Sequence, residues 1–373
     1  MEIILNKEDF SNGIKIVEKV TAQKAIQPIL SNILIDCVSS DRICFYATDL
    51  ISAISYKTSA QVESEGKATL SARKISEIVS KISSTEITIK ADDMENVKIK
   101  SGKTEFDLVG LDANDFPDVF EQNQEQDSKM FVLNKQEFSK AIKQVIFAVS
   151  SQETQAVLTG VCFNIENNIL ELAATDGNRL TRVQKEIETT IEENLNFIVN
   201  AKTLAEVQRI SSLVEDENIT VKVFKNKIQF EFENLTFQSK LIDGIYPKYQ
   251  QLIPNSNDKK IVVDRAELIN SIERVSIMVN DRTNVVKFNF SQGQLEIMAD
   301  TSEAGKSKDY IDIEYSQDEM LTAFNYKYVL DALKNMDTKN IEIEISDVLA
   351  ATIFKPQEDV SNYICLIMPV KVQ

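Results

Sequence analysis

The sequence contains no histidine and no tryptophan, and only 9 of its 373 residues are glycine. Without histidine there is no imidazole for a Ser-His-Asp or Cys-His catalytic pair, and none for a zinc site. The few glycines form no Gly-x-x-x-x-Gly-Lys loop of the kind that cradles nucleotide phosphates. These absences argue against ordinary hydrolase and zinc chemistry, and they exclude a P-loop ATPase.

The four cysteines, at positions 37, 44, 162 and 365, are widely spaced and form no Cys-x-x-Cys pair. This usage is typical of buried thiols in a reducing cytoplasm. The first residues lack the basic and apolar regions of a secretory signal, and no run approaches about 18 uncharged apolar residues. We therefore expect a cytoplasmic protein that binds neither a membrane nor a cofactor.

Three segments recur in the same order at near-constant spacing. Residues 3–17 resemble residues 131–145 and, more weakly, 261–275. The other two recurring elements are 69–83, 197–211 and 322–336, and Ala47-Thr48-Asp49, Ala174-Thr175-Asp176 and Ala299-Asp300-Thr301. A repeat of this kind predicts three copies of one domain.

Each copy has two segments with apolar residues at helical spacing, separated by segments that alternate apolar and polar residues. The predicted helix N-caps are Asn6, Asn134, Asp264, Ser71, Asn200 and Asn325. The alternation indicates antiparallel sheets with one wet face. We predict an α+β fold of three tandem copies, 1–127, 128–256 and 257–373, each with two helices that cover antiparallel sheets.

The net charge is −17, although nucleic-acid-binding proteins usually carry a positive surface. The predicted solvent-facing helix positions nevertheless carry many bases, Arg209 among them, while strands and loops hold most acids. A basic helix layer inside an acidic shell would admit phosphate only to the inside. A solvated helix face of mixed charge explains the same pattern equally well.

Helix packing sets the size of any ring that such copies could form. Six helices side by side at about 8–10 Å leave almost no bore, whereas twelve leave room for a duplex roughly 20 Å wide. A head-to-tail pair of chains is the smallest closed solution.

Several short motifs carry a family resemblance that covers the whole chain. They are Pro28-Ile29-Leu30-Ser31-Asn32, Ala72-Arg73-Lys74, Asp115-Phe116-Pro117, residues 174–180, residues 239–244, Tyr246-Pro247-Lys248-Tyr249 and Met368-Pro369-Val370. With them the sequence resembles the bacterial sliding clamps, the beta subunits of DNA polymerase III. The resemblance implies a ring-shaped head-to-tail homodimer without catalytic activity, which encircles double-stranded DNA and acts as a processivity factor.

The resemblance also implies partners and site residues. The partners are the clamp loader, the polymerase III alpha subunit and other clients that carry a clamp-binding motif. The implied client-peptide pocket comprises Leu158, Thr175, Gly177, Asn178, Arg179, Leu180, Pro247, Leu252, Ala351, Leu366, Ile367, Met368, Pro369 and Val370. The implied DNA contacts are Lys24, Arg73, Gln152, Lys202 and Arg282. The implied dimer interface comprises Lys74, Phe106, Leu108, Ile277 and Met278, with Lys74 facing acids near Asp300 and Glu303.

Two other functions remain open from the residues alone. A carboxylate-only metal hydrolase could use the repeated Asp49, Asp176 and Asp300, although one acid per copy does not supply the several close ligands that two-metal chemistry needs. A repeat scaffold that binds proteins but never DNA is the other alternative.

Overall fold

The computed structural model describes residues 1–22, 27–92, 96–120, 128–188, 191, 193–254, 257–279, 283–301, 305–358 and 362–371. The α-helices of this part of the chain are α1 (Lys7–Val17), α2 (Ala72–Lys81), α3 (Lys135–Ile146), α4 (Ala201–Ser211), α5 (Arg265–Ser276) and α6 (Tyr326–Lys334). None of them is long and apolar enough to cross a membrane.

The strands follow a similar order in all three copies. Those of the first copy are β1 (Glu2–Asn6), β2 (Asn32–Ser39), β3 (Arg42–Thr48), β4 (Ser52–Ser59), β5 (Gln61–Ser64), β6 (Lys67–Ser71), β7 (Glu86–Ala91), β8 (Asn96–Ser101) and β9 (Thr104–Val109). Those of the second are β10 (Lys129–Asn134), β11 (Gly160–Glu166), β12 (Ile169–Thr175), β13 (Arg179–Glu186), β14 (Leu195–Asn200), β15 (Asn218–Val223), β16 (Lys227–Glu231) and β17 (Leu235–Lys240). Those of the third are β18 (Lys259–Asp264), β19 (Val285–Ser291), β20 (Gln294–Thr301), β21 (Gly305–Asp312), β22 (Met320–Asn325), β23 (Asn340–Ile345), β24 (Thr352–Pro356) and β25 (Ile364–Ile367).

The chain divides into two compact units. The first comprises Met1–Gln136, Thr189–Ile191 and Glu206–Leu241, and the second comprises Glu137–Glu188, Glu192–Ala205 and Ile242–Gln373. In the first unit the sheets have the strand orders β5-β1-β7-β8-β9 and β10-β15-β16-β17-β4-β3-β2-β6. In the second unit they are β14-β11-β12-β13-β25-β24-β23-β18 and β21-β20-β19-β22.

Neighbouring copies share a sheet, because the last strand of one copy pairs with an inner strand of the copy before it. Strand β17 pairs antiparallel with β4, and β25 pairs antiparallel with β13. The antiparallel sheets and paired helices confirm the predicted α+β class. The boundaries at 127/128 and 256/257 stay a prediction.

The first helix of every copy is anchored in the same way. The backbone N–H groups of Lys7, Lys135 and Arg265 donate to Thr85, Glu217 and Lys339 at 2.8, 2.8 and 2.9 Å. The three side chains also donate to carbonyls beyond the second helix, at Ile82, Val214 and Thr338. The repeated segments therefore fold alike, as three copies of one domain require.

Five of the six predicted N-caps are confirmed. The side chains of Asn6, Asn134, Asp264, Asn200 and Asn325 accept backbone N–H groups at 2.8–3.0 Å. Ser71 does occupy the predicted N-cap position before α2, but its side chain makes no capping hydrogen bond. Its backbone pairs with Asn32 at the end of β6, just as the five other cap residues pair at the ends of their strands.

The core lies between the helices and the sheets. Phe10 on α1 is fully buried and lies 5.7 Å from the ring of Phe45 on β3, measured between centroids. A Cβ at Gly13 would come within 2.5 Å of Phe45, so the helix approaches the sheet as closely as it does only because this residue has no side chain. Burying an aromatic side chain stabilises a fold by about 1.5–3 kcal/mol.

Candidate functional site

The predicted pocket lies where β13 meets β25, within the second unit. Leu180 pairs with Leu366 across the two strands. Both are almost fully buried, and they belong to one apolar cluster with Tyr246 and Tyr249. Side chains that pack against this cluster from the surface are Val157, Leu158, Ile242, Ile253 and Ala351. An apolar floor of this kind suits a hydrophobic ligand.

The predicted pocket residues differ in how much of their surface is exposed to solvent. Those that are buried are Thr175, Arg179, Leu180, Leu366 and Ile367. Those that are half-buried are Leu158, Ala351 and Pro369, and those that are exposed are Gly177, Asn178, Pro247, Leu252, Met368 and Val370. Leu252 and Met368 are large apolar side chains that expose 57% and 43% of their surface.

A tight turn joins β12 to β13 beside this floor. Thr175 donates its backbone N–H to the Tyr246 hydroxyl at 3.0 Å and its own hydroxyl to the Arg179 carbonyl at 2.6 Å. Asp176 Oδ1 accepts the backbone N–H groups of Asn178 and Arg179. Gly177 has φ +90°, a backbone conformation that favours glycine. The turn is therefore fixed by its own side chains.

Arg179 is caged by its neighbours. Its Nε and Nη1 donate to carboxylate oxygens of Asp176 at 3.0 Å and Asp331 at 2.7 Å, and its Nη2 donates to the Phe147 carbonyl at 2.5 Å. The guanidinium carbon lies 4.3 Å from the Tyr328 ring centroid and 5.3 Å from that of Phe147. Because three of its five N–H donors are engaged internally, this side chain is held between β13 and α6.

The hydroxyl of Tyr249 is hydrogen-bonded to a buried carboxylate. This hydroxyl donates to Glu171, which also accepts from Gln184 at 2.7 Å. Burial and this hydrogen bond raise the pKa of Tyr249 well above its usual value. The Tyr249 ring meets that of Tyr246 edge to face, with centroids 6.1 Å apart. The sequence resemblance did not single out Glu171. In the sequence, its position in β12 does not distinguish it from other residues of a strand.

The segment after β25 is held by backbone bonds. Met368 donates its N–H to the Asn178 carbonyl at 2.9 Å, and Val370 donates to the Ala323 carbonyl at 2.8 Å. These bonds place the backbone of Met368 beside the turn of residues 175–179.

The three repeated aspartates each have local partners. Asp49 Oδ1 accepts the backbone N–H groups of Ile51 and Ser52 at 3.0 and 2.6 Å. Asp176 binds Arg179, and Asp300 pairs with Lys306 at 2.8 Å. Turn formation and ion pairing explain why these acids recur. Across the residues that the structure describes, there is no cluster of three or more acids or cysteines placed to hold a metal.

The predicted DNA contacts lie on or beside helices. Arg73 is exposed on α2 and pairs with Glu77 at 3.1 Å. Lys202 is exposed in the first turn of α4, and Gln152 is exposed just before a 3₁₀ segment, Glu153–Thr159. Lys24 and Arg282 lie outside the described residues.

The prediction of a solvent-facing Arg209 is wrong. Its Nη1 and Nη2 donate to the carbonyls of Lys15 and Ile16 at the end of α1, at 3.0 and 2.6 Å. Its guanidinium also pairs with Glu206. Arginine can satisfy helix-terminal carbonyls in this way, so this base belongs to the helix packing and not to a free basic face.

The predicted interface residues lie at strand and helix ends. Phe106 and Leu108 are half-buried on β9, which is an edge strand. Ile277, directly after α5, exposes 78% of its surface, and Met278 is half-buried. Lys74 is exposed on α2. Asp300 is already paired with Lys306, and Glu303 lies outside the described residues.

Comparisons with known proteins agree along the whole chain. Family models for the N-terminal, central and C-terminal domains of the DNA polymerase III beta subunit match residues 1–120, 132–248 and 250–371. The beta sliding clamp of Bacillus subtilis is 29% identical over 384 residues, with 100% of both chains covered. That of Chlamydia trachomatis is 28% identical over 372 residues, covering 100% of this chain and 87% of that one.

Solved structures give the same result. The sliding clamp of Bacillus subtilis superposes with a TM-score of 0.93 at 28% identity, covering 100% of both chains. A sliding clamp from Bartonella birtlesii, solved with griselimycin bound, gives 0.92 at 29% identity with the same coverage. The chain therefore belongs to the DNA polymerase III beta subunit family, the bacterial sliding clamps.

Proposed function

We propose that two copies of this chain close head to tail into a ring around duplex DNA, slide on it, and hold the replicative polymerase to its template. The protein is then a processivity factor for DNA polymerase, in keeping with its family. The observation that carries the proposal is the repeated pairing of β4 with β17 and of β13 with β25.

In this pattern the last strand of each copy pairs with a strand of the copy before it. The first copy has no copy before it and the third has none after it, so one strand of each lacks this partner within the chain. The strand of the first copy equivalent to β17 and β25 is β9, and the strand of the third copy equivalent to β4 and β13 is β21. Both are edge strands of their sheets. An open edge is a template for pairing with another chain. Pairing of β9 with the partner's β21, and the converse, joins two chains by the contact already used inside each one.

The proposed interface also has apolar and charged contacts. Phe106 and Leu108 on β9 would meet Ile277 and Met278 of the partner subunit. Lys74 would approach acids near β21, where Lys306 and Lys308 are already paired with Asp300 and Glu296. Since these lysines neutralise the nearby acids, we expect the apolar contacts to contribute most to dimer affinity.

We propose that exposed polar side chains on and beside the helices face the DNA. Arg73, Gln152 and Lys202 would touch phosphates, together with Lys24 and Arg282. Each phosphate contact strengthens binding and its salt dependence. A closed ring needs little affinity to stay on DNA, which agrees with few such contacts on an acidic protein.

The pocket beside Tyr246 and Tyr249 is the proposed site for clients. An apolar floor with an exposed rim of Leu252 and Met368 suits a short hydrophobic motif on a partner. We propose the polymerase III alpha subunit, the clamp loader and other motif-bearing proteins as its occupants. In this role the chain is an accessory subunit without catalytic activity that acts in the cytoplasm, where bacterial DNA is copied.

A retention assay tests the proposal. The protein is loaded by a clamp loader onto a singly nicked plasmid, and half of the sample is then cut once with a restriction enzyme. We expect the intact circle to retain the protein during gel filtration and the linear DNA to release it from its ends. Equal retention on both would refute topological binding and favour the scaffold alternative or ordinary electrostatic binding.

A further inference from the structure

A second cavity lies at the junction of the first two copies, within the first unit. It has a volume of about 550 Å³ and is bordered by the start of β4, the end of β17 and residues 118–119. The size is in the range of about 300–1,000 Å³ that is typical of ligand pockets. Its place in the repeat is that of the client pocket, because β4 pairs with β17 as β13 pairs with β25.

The two junctions differ at the residue that begins the shared strand. Arg179, at the start of β13, corresponds to Ser52 at the start of β4. Arg179 engages Asp176 and Asp331, whereas the short side chain of Ser52 donates to the Ser239 hydroxyl at 3.2 Å. The first junction therefore has a small hydroxyl where the second has a caged guanidinium.

A strained turn presents apolar side chains at the mouth of this cavity. Leu50 has φ +71°, a left-handed conformation that is unfavourable for a leucine. The turn is held in place by the backbone N–H groups of Ile51 and Ser52, which donate to Asp49 Oδ1. Leu50 and Ile51 expose 42% and 61% of their surfaces. Backbone strain that is stabilised by its surroundings often accompanies binding sites.

A buried acceptor lines the same cavity. Gln238 is 7% exposed, and its Nε2 donates to the Val119 carbonyl at 2.6 Å. Its Oε1 is buried and accepts no hydrogen bond from the part of the chain that the structure describes. Buried polar atoms are nearly always paired, so this oxygen needs a donor that a bound molecule can supply.

The charged groups around the cavity favour an anionic partner. The charged residues among those that line it are Lys227, Lys240 and Asp118. Burial lowers the pKa of Lys227, whose ammonium lies 4.9 Å from the centroid of the Phe224 ring. Asp49, at the edge, already accepts the two N–H groups of its turn. A partly desolvated cation gains most from a nearby carboxylate.

We propose that this cavity binds a short extended peptide of a partner protein in which an apolar residue adjoins an acidic one. The apolar side chain packs on Leu50, Ile51 and Val119. A peptide N–H donates to Gln238 Oε1, and the carboxylate pairs with Lys227 or Lys240. The site is separate from the client pocket and gives each protomer a second docking position.

Fluorescence anisotropy with the full-length protein tests this proposal. The probe is a fluorescein-labelled peptide of alternating leucine and aspartate, six residues long and amidated, and a leucine–lysine peptide of equal length is the charge control. Leu50→Asp is compared with Leu213→Asp, since Leu213 is similarly exposed at 47% but lies after α4. Lys240→Glu is compared with Lys225→Glu, an exposed lysine of the neighbouring turn.

We expect Leu50→Asp and Lys240→Glu to weaken binding of the acidic peptide about tenfold, and the two control variants to bind like the parent protein. All four positions are on the surface, and equal thermal midpoints will verify that the variants are folded. The proposal is overturned if the parent does not bind the acidic peptide at millimolar concentration, or prefers the lysine peptide. It is also overturned if binding is abolished by Leu252→Asp, in the client pocket, and unchanged with Leu50→Asp.

Discussion

Arg179 and Asp331 are 152 positions apart in the sequence, yet Arg179 Nη1 lies 2.7 Å from Asp331 Oδ2. The pair ties β13 of the second copy to α6 of the third. The Arg179 side chain is 9% exposed and Asp331 is 45% exposed, so the arginine carries most of the desolvation.

Replacing Arg179 should therefore destabilise the protein. Arg179→Ala leaves Asp176 without its cation and the Phe147 carbonyl without its donor, and we expect a loss of about 2–4 kcal/mol in the free energy of unfolding. Urea denaturation of the two proteins measures it. Asp331→Asn is the control and should cost less, because that side chain is partly solvated. An unchanged urea midpoint for Arg179→Ala would contradict the structural role assigned to this residue.

Tyr249 gives a prediction about alkaline pH. Its pKa is raised in the folded protein, first by burial and then by its bond to Glu171. The unfolded tyrosine loses its proton near pH 10, so the stabilisation is fully present below that pH and is lost as pH rises from there towards the folded pKa. The parent protein should therefore lose stability above pH 10 more steeply than Tyr249→Phe.

The measurement is the free energy of unfolding of both proteins between pH 7 and 11. At pH 7 we expect Tyr249→Phe to be about 1–3 kcal/mol less stable, because Glu171 loses a buried donor. Tyr246 also has a raised pKa and remains in both proteins, so only the difference between the curves is informative. Parallel curves across the whole range would rule out the proposed titration.

The interface proposal predicts a difference between two faces of one strand. Along β9, Leu108 is half-buried and Val109, whose side chain points to the opposite face, is 75% exposed. Leu108→Asp should weaken dimerisation by about 2 kcal/mol or more, as expected for a charge placed in an apolar contact. Val109→Asp is the matched control, and sedimentation equilibrium measures both. Equal dimer affinity for the two variants would exclude the Phe106–Leu108 face from the interface.

The DNA contacts predict a change in salt dependence. Arg73→Glu combined with Lys202→Glu should make the slope of log affinity against log salt shallower by about one for each phosphate that the variant no longer binds. Processive synthesis should fall, while binding of a client peptide stays unchanged because the pocket is intact. Lys225→Glu controls for a single charge reversal away from the proposed DNA contacts. Unaltered loading and synthesis in the double variant would support a scaffold that does not bind DNA.

The sequence was sufficient to predict the repeated helices and strands because the same spacing of apolar and polar residues occurs in each of the three copies. Caps such as Asn6 and Asp264 act within a few residues, so they were visible in the sequence. Ser71 holds the same position at the start of α2, but its hydroxyl makes no capping bond. The Arg209 prediction failed because the carbonyls that it binds belong to a helix 194 positions away.

The pocket stays a prediction that rests on the family resemblance. How far each of its residues is exposed depends on strand pairing and on distant partners, which the sequence does not show. Nothing local to Arg179 indicates that Tyr328 and Asp331 enclose it. The buried Oε1 of Gln238 is likewise a property of packing that no sequence pattern carries.

The pairing of β4 with β17 also constrains how the chain is made. Ser52 and Ser239, which face each other across these strands, are 187 positions apart. At about 5–20 residues per second, a ribosome needs roughly 10–40 s to synthesise that interval. During this time the first copy has emerged with its β4 edge uncovered. Every new polypeptide thus passes through a period in which the edge of β4 is unpaired because β17 has not yet been synthesised. A chaperone that covers this edge would act during that period.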